Sequence, residues 1–136
     1  MVIVVAYVPK PEGRAALHRG IEEARLRNAR LVVLNSAKGD AYVDPHFASV
    51  QDLEIVKSQL DGAGVEHELR QPVRGKEAAD EVVELAEETG AELIVIGMRR
   101  RSPVGKLVLG STAQRVLLDA RCPVLAVKAD GTPESD

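Results

Sequence analysis

Apolar positions along this chain follow two alternating rhythms. Residues 2 to 8, VIVVAYV, are a continuous run rich in β-branched side chains, as a strand buried on both faces requires. Pro9 and Pro11 end it. From Glu12 the period changes. Leu17, Ile21 and Ala24 recur at i, i+4 and i+7 with charged residues between them, which turns one face of a helix inward. RLVVLNS (30–36) is a second buried strand, followed by AKGDAYVDP with the Gly, Asp and Pro of a loop. Phe47, Val50, Leu53, Val56 and Leu60 mark the stripe of a second helix, and Gly62 and Gly64 suit its stop. VEHELR (65–70) alternates apolar and polar, predicting a half-exposed strand at a sheet margin. GKEAADEVVELAEETG (75–90) sets Ala79, Val82, Val83 and Ala86 on one helix face, acids on the other, and Gly90 at the C-cap. ELIVIG (92–97) is again a buried strand. Ser111 is placed to N-cap a fourth helix with Ala113, Val116 and Leu117 inward, and CPVLAVK (122–128) is the last strand. The remainder, ADGTPESD, has almost nothing to bury and reads as a mobile tail, so 1–128 is one domain and 129–136 the tail.

The sum is β-α-β-α-β-α-β-α-β. Such alternation requires crossover helices, hence a parallel sheet covered on both faces: a doubly wound α/β fold. In these sheets ligands sit at the carboxyl ends of strands, where the winding reverses. The end of the first strand near Val8 and the end of the fourth at Gly97 are expected to meet there.

Composition narrows the partners. With 136 residues the chain suits one domain with a real core. Its 18 Lys+Arg stand against 21 Asp+Glu, so no global field favours nucleic acid or an anionic membrane, and any anion site must be local. Aromatics are 2% and Trp is absent, which removes the stacking platforms of single-strand binders. MVIVVAYVPK lacks a basic leader and breaks at Pro9, so it reads as a strand, and no run approaches the roughly 20 apolar residues of a membrane span. A single cysteine, Cys122, fits a reducing compartment, and a cytoplasmic protein is expected.

The local positive charge is GMRRRSPVGKLVLGST (97–112). Gly110, Ser111 and Thr112 are suited to hold phosphate oxygens through backbone amides and hydroxyls at a helix N-terminus, with Arg99, Arg100, Arg101 and Lys106 adding charge-assisted bonds. A helix cap beside a solvated arginine run explains the same residues, and local chemistry leaves both readings open. A P-loop is excluded, because Arg100 stands where its first glycine belongs and Leu107 where its hydroxyl belongs. No Gly-x-Gly-x-x-Gly follows any expected strand, and no Gly-x-Ser-x-Gly elbow exists. His18, His46 and His67 show no metal-like spacing, Cys122 is read as packing, and Glu87 and Glu88 as part of a solvated face. No catalytic constellation is found.

Gly97 followed by Gly110-Ser111, a short helix and CPVLAVK, together with PEGRAAL, AADEVVELA and ELIVIGMRRR, resembles the universal stress protein family over residues 2–128. The resemblance implies a Rossmann-like sheet of five parallel strands in order 3-2-1-4-5, similar to the adenine nucleotide alpha hydrolases, and a homodimer through the last strand. Family members that bind ATP or AMP carry Gly-x2-Gly-x9-Gly-Ser/Thr. Here Gly97, Gly110 and Ser111 match, and Arg100 replaces the second glycine. Binders also commonly have an aspartate at the end of the first strand, near ribose and base, and that position holds Val8. The resemblance therefore implies an adenine nucleotide with Gly97, Gly110, Ser111 and Thr112 around the phosphates, Arg99 and Arg100 neutralising them, and the segment near Ser36 facing the base. It implies a regulatory module without robust turnover. The alternatives are a member that binds no nucleotide and uses the arginine loop to dock an unknown protein, and a slow nucleotide hydrolase.

Overall fold

The computed structural model describes residues 1–36, 47–72, 75–101 and 106–129, with only the backbone of 100, 101 and 106–108. The elements are β1 (Val2–Ala6), α1 (Pro11–Arg27), β2 (Arg30–Leu34), α2 (Val50–Ala63), β3 (His67–Arg70), α3 (Ala78–Thr89), β4 (Leu93–Arg101), β5 (Lys106–Val108), α4 (Ser111–Asp119) and β6 (Val124–Lys128). β1, β2, β3, β4 and β6 pair in parallel, with β1 central between β2 and β4, β3 outside β2 and β6 beside β4. This is the doubly wound sheet and the order 3-2-1-4-5 expected from the sequence, counted over the parallel strands.

The continuous apolar runs are explained by burial on both faces. Ile3, Val4 and Val5 of β1, Leu31, Val32 and Val33 of β2, and Ile94 and Val95 of β4 are wholly buried. Alternate residues go to opposite sides. Ile3, Val5, Leu31, Val33 and Val95 meet Leu17 and Ile21 of α1 and Val56 and Leu60 of α2. Val4, Val32, Leu34, Ile94 and Ile96 meet Val82 and Leu85 of α3 and Val116 of α4. Residues in left-handed backbone close three helices: Asn28 after α1, Gly64 after α2 and Gly90 after α3.

Several boundaries differ from the sequence pattern. β4 does not stop at Gly97. It runs on to Arg101 and pairs antiparallel with β5, Arg99 opposite Val108 and Arg101 opposite Lys106. The arginine run is thus the arm of a hairpin, because ladder hydrogen bonds with β5 let the backbone leave the sheet without unpaired groups. The N-cap of α4 is Gly110, and Ser111 is its first helical residue. α2 starts after Phe47, since Ser49 and Asp52 form a reciprocal capping box: the Asp52 N–H donates to Ser49 Oγ at 3.0 Å and the Ser49 N–H to Asp52 Oδ2 at 2.9 Å. Val50 and Leu117 are exposed rather than inward, and Glu81, on the supposed solvated face of α3, is buried. Among the described residues no helix is long and apolar enough to cross a membrane. The Ala129 N–H still donates to Met98 O at 3.2 Å, while residues 130–136 of the expected tail lie outside the described residues.

Candidate functional site

β1 sends the chain to β2 on one side and has β4 on the other, so the winding reverses between β1 and β4. A cavity of about 290 Å³ opens there, at the carboxyl ends of the strands. Ala6, Tyr7 and Val8 line it from the end of β1, Leu34 and Ser36 from the end of β2, and Ile96, Gly97 and Arg99 from β4. Three helices begin on it. α1 contributes Glu12 and Gly13, α3 Glu77, Ala78 and Val82, and α4 Gly110, Ser111, Thr112 and Ala113. Of the residues singled out from the sequence, Val8, Ser36, Gly97, Arg99, Gly110, Ser111 and Thr112 thus surround one space. The backbone of Arg100 pairs with Leu107, and its side chain, like that of Lys106, lies outside the described part.

The walls are held by close contacts. A β-carbon on Gly97 would stand 2.0 Å from the backbone oxygen of Glu12, and one on Gly13 would stand 1.8 Å from that of Val8. Gly97 therefore has a role the sequence did not reveal: it lets the first turn of α1 press against β4. Behind the cavity, Asn35 is wholly buried. Its Nδ2 donates to Tyr7 O at 2.8 Å, and its Oδ1 accepts from the Ala48 N–H and from Gln71 Nε2, each at 2.9 Å. One side chain ties the ends of β1, β2 and β3 to the entry of α2. A polar residue closing an otherwise apolar strand, RLVVLN, was the available signal. Burial pushes the Tyr7 phenol above its ordinary range, with the Asp52 charge adding to the shift and Arg14 opposing it. The ring stays neutral.

The electrostatics of the cavity are set by its helix ends. α2 begins away from it and carries a full capping box, whereas α1, α3 and α4 have no side-chain cap bond at their N-termini. Uncapped first turns expose N–H groups and the positive end of the helix dipole. Arg99 adds to this. A β-carbon on Gly110 would lie 3.4 Å from Arg99 Nη2, so a guanidinium rests against the start of α4, where a cation is disfavoured unless an anion joins it. Among the described residues Arg99 makes no ion pair. The cavity also holds the carboxyl-bearing residues Glu12 and Glu77, which the sequence pattern did not mark. The position of Glu12 was readable from Pro11 at the first turn of a helix that starts just beyond β1.

The remaining candidates lie elsewhere. His18 is exposed on α1. His67 Nδ1 lies 2.8 Å from Val65 O and Nε2 3.1 Å from Asp61. His46 is outside the described residues. Burial pushes the Cys122 thiol up, away from reactivity.

Comparison with known proteins agrees with this architecture. Residues 1–128 match the Universal stress protein family. A universal stress protein of Mycolicibacterium smegmatis is 51% identical over 130 residues, which cover 96% of this chain and 99% of that protein. A solved universal stress protein from Archaeoglobus fulgidus superposes with a TM-score of 0.77 at 36% identity, covering 93% of this chain and 97% of the other. A further structure from the same organism, in complex with dAMP, gives 0.71 at 30% identity over 93% of this chain and 96% of the other.

Proposed function

The chain belongs to the universal stress protein family, and on that premise we propose that the cavity at the strand ends takes an adenine nucleotide, ATP or AMP, in a regulatory role without robust turnover. The observation that carries this is the contrast in capping. Three helices leave their first turns uncapped around one hollow, with Arg99 resting on Gly110, while the helix that begins elsewhere is capped. Phosphate is the group that satisfies such an arrangement. The relative solved with dAMP, 30% identical, supports the adenine nucleotide. In this reading the phosphates lie against Gly97, Gly110, Ser111 and Thr112, Arg99 and Arg100 supply countercharge, and the segment at Val8 and Ser36 faces the nucleoside.

Calorimetric titration with ATP and AMP tests it. Arg99→Glu is expected to weaken the better ligand by about thirtyfold, the worth of one charge-assisted contact of about 2 kcal/mol. Ser111→Glu places a carboxylate at the first turn of α4, which the dipole favours, so the fold is kept while the carboxylate takes the phosphate position. Unchanged affinity in both variants would sink the placement. Phosphate release above the Ser111→Glu background would show turnover instead.

A homodimer through β6 belongs to the same reading. Val124, Leu125, Ala126 and Val127 are only half-buried on a strand whose one described neighbour is β4, and such an edge invites pairing. Light scattering that finds a monomer at micromolar concentration removes the dimer. The lone cysteine accords with a cytoplasmic setting.

A further inference from the structure

We infer that Glu12 makes the cavity selective for a phosphate ester bearing hydroxyls, as in a nucleoside phosphate, over a bare phosphate or pyrophosphate. The inference rests on the cavity being the nucleotide site. Glu12 is the second residue of α1, half-buried, and lines the cavity from the turn that packs on Gly97. It makes no ion pair or hydrogen bond among the described residues, whereas Glu77, the other acid on the cavity, has a partner.

A carboxylate that no described cation pairs, sharing a partly enclosed space with a bound anion, is a cost. Because Glu12 is half-buried and solvent screens it, two like charges several ångströms apart repel there by only enough to weaken an anion roughly threefold. The cost is offset when the ligand brings a hydrogen-bond donor to the carboxylate, because a carboxylate only accepts. A ribose hydroxyl is such a donor, and inorganic phosphate and pyrophosphate present mainly further negative charge. Arg99 and the start of α4 take the phosphate, and Glu12 at the start of α1 takes a hydroxyl on the same molecule. A purely local role also exists, since an acid in the first turn stabilises a helix, and the two roles make different predictions.

Calorimetry on Glu12→Gln and Glu12→Ala, with AMP and with pyrophosphate, separates them. Removing the charge is expected to weaken AMP by about tenfold, the loss of one hydrogen bond to a charged group. The same variants should bind pyrophosphate roughly threefold tighter, as the repulsion is lifted. This crossing of the two affinities is what a helix-stabilising role does not produce. Variants that lose both ligands in parallel, or change neither, overturn the inference while AMP binding by the native protein still stands. A native protein that takes up no AMP overturns the underlying reading and the inference together.

Discussion

Two hollows among the described residues share a wall and little else. Leu34 lines both. α3 runs between them, with Ala78 and Val82 on the strand-end cavity and Glu81, Glu84, Leu85 and Glu88 on a groove of about 440 Å³ beside β3. The charges of the groove are largely matched at home. Glu68 accepts from Arg30 at 2.6 Å and from Arg70 at 2.5 Å, and Glu84 from Lys76 at 2.6 Å. In the cavity the helix starts are uncapped and Arg99 has no ion pair among the described residues. Among the described residues, the unpaired Arg99 and the uncapped helix starts set the cavity apart from the groove.

One residue joins the two hollows. Asn35 bonds Tyr7, which lines the cavity, and Gln71, which lines the groove. Asn35→Leu leaves the Ala48 N–H and the Tyr7 carbonyl without their partner and is expected to cost about 3 kcal/mol, lowering the melting temperature by on the order of 10 °C. A shift under about 2 °C would show that the strand ends are held by packing alone. Charge reversal sharpens the contrast with a smaller effect. Glu88→Arg in the groove should leave AMP affinity within about twofold, against the roughly thirtyfold loss expected for Arg99→Glu, because in the proposed placement the groove does not face the ligand.

The alternation of buried runs and amphipathic stripes made the sheet, its parallel sense and the place of the crevice legible in the sequence, since burial on both faces leaves no polar position in VIVVA or LVVL. The hairpin was not legible. Three successive arginines carry no strand rhythm, and only pairing with Lys106–Val108 makes them one. The start of α2 was misread for a related reason: Phe47 and Val50 continue the apolar spacing, but the Ser49–Asp52 capping box decides where the helix begins. Among the residues that line the cavity, the glycine and hydroxyl positions were marked by type. Glu12 and Asn35 were not, because a helical acid and a strand-end amide look ordinary until the fold shows what each one faces.

The smallest effect tests whether the groove is self-sufficient in charge. Bonds from Arg70 and then Arg30 hold the Glu68 carboxyl below its ordinary range. A carboxyl depressed in the folded state lends stability that is fully present above its unfolded value, and this is lost as acidification protonates it in the native protein. The window is therefore acidic, below the usual carboxylate pKa of about 4.3. Glu68 and its partners are each about a third exposed, so solvent screening keeps the contribution under about 1 kcal/mol. Urea midpoints at pH 7 and pH 3.5 for the native chain and Glu68→Gln read it directly. The variant should be slightly less stable at pH 7, and the gap should narrow at pH 3.5. A gap that widens on acidification would mean that Arg30 and Arg70 do not depend on Glu68, and that the groove, like the cavity, has charge left to offer a ligand.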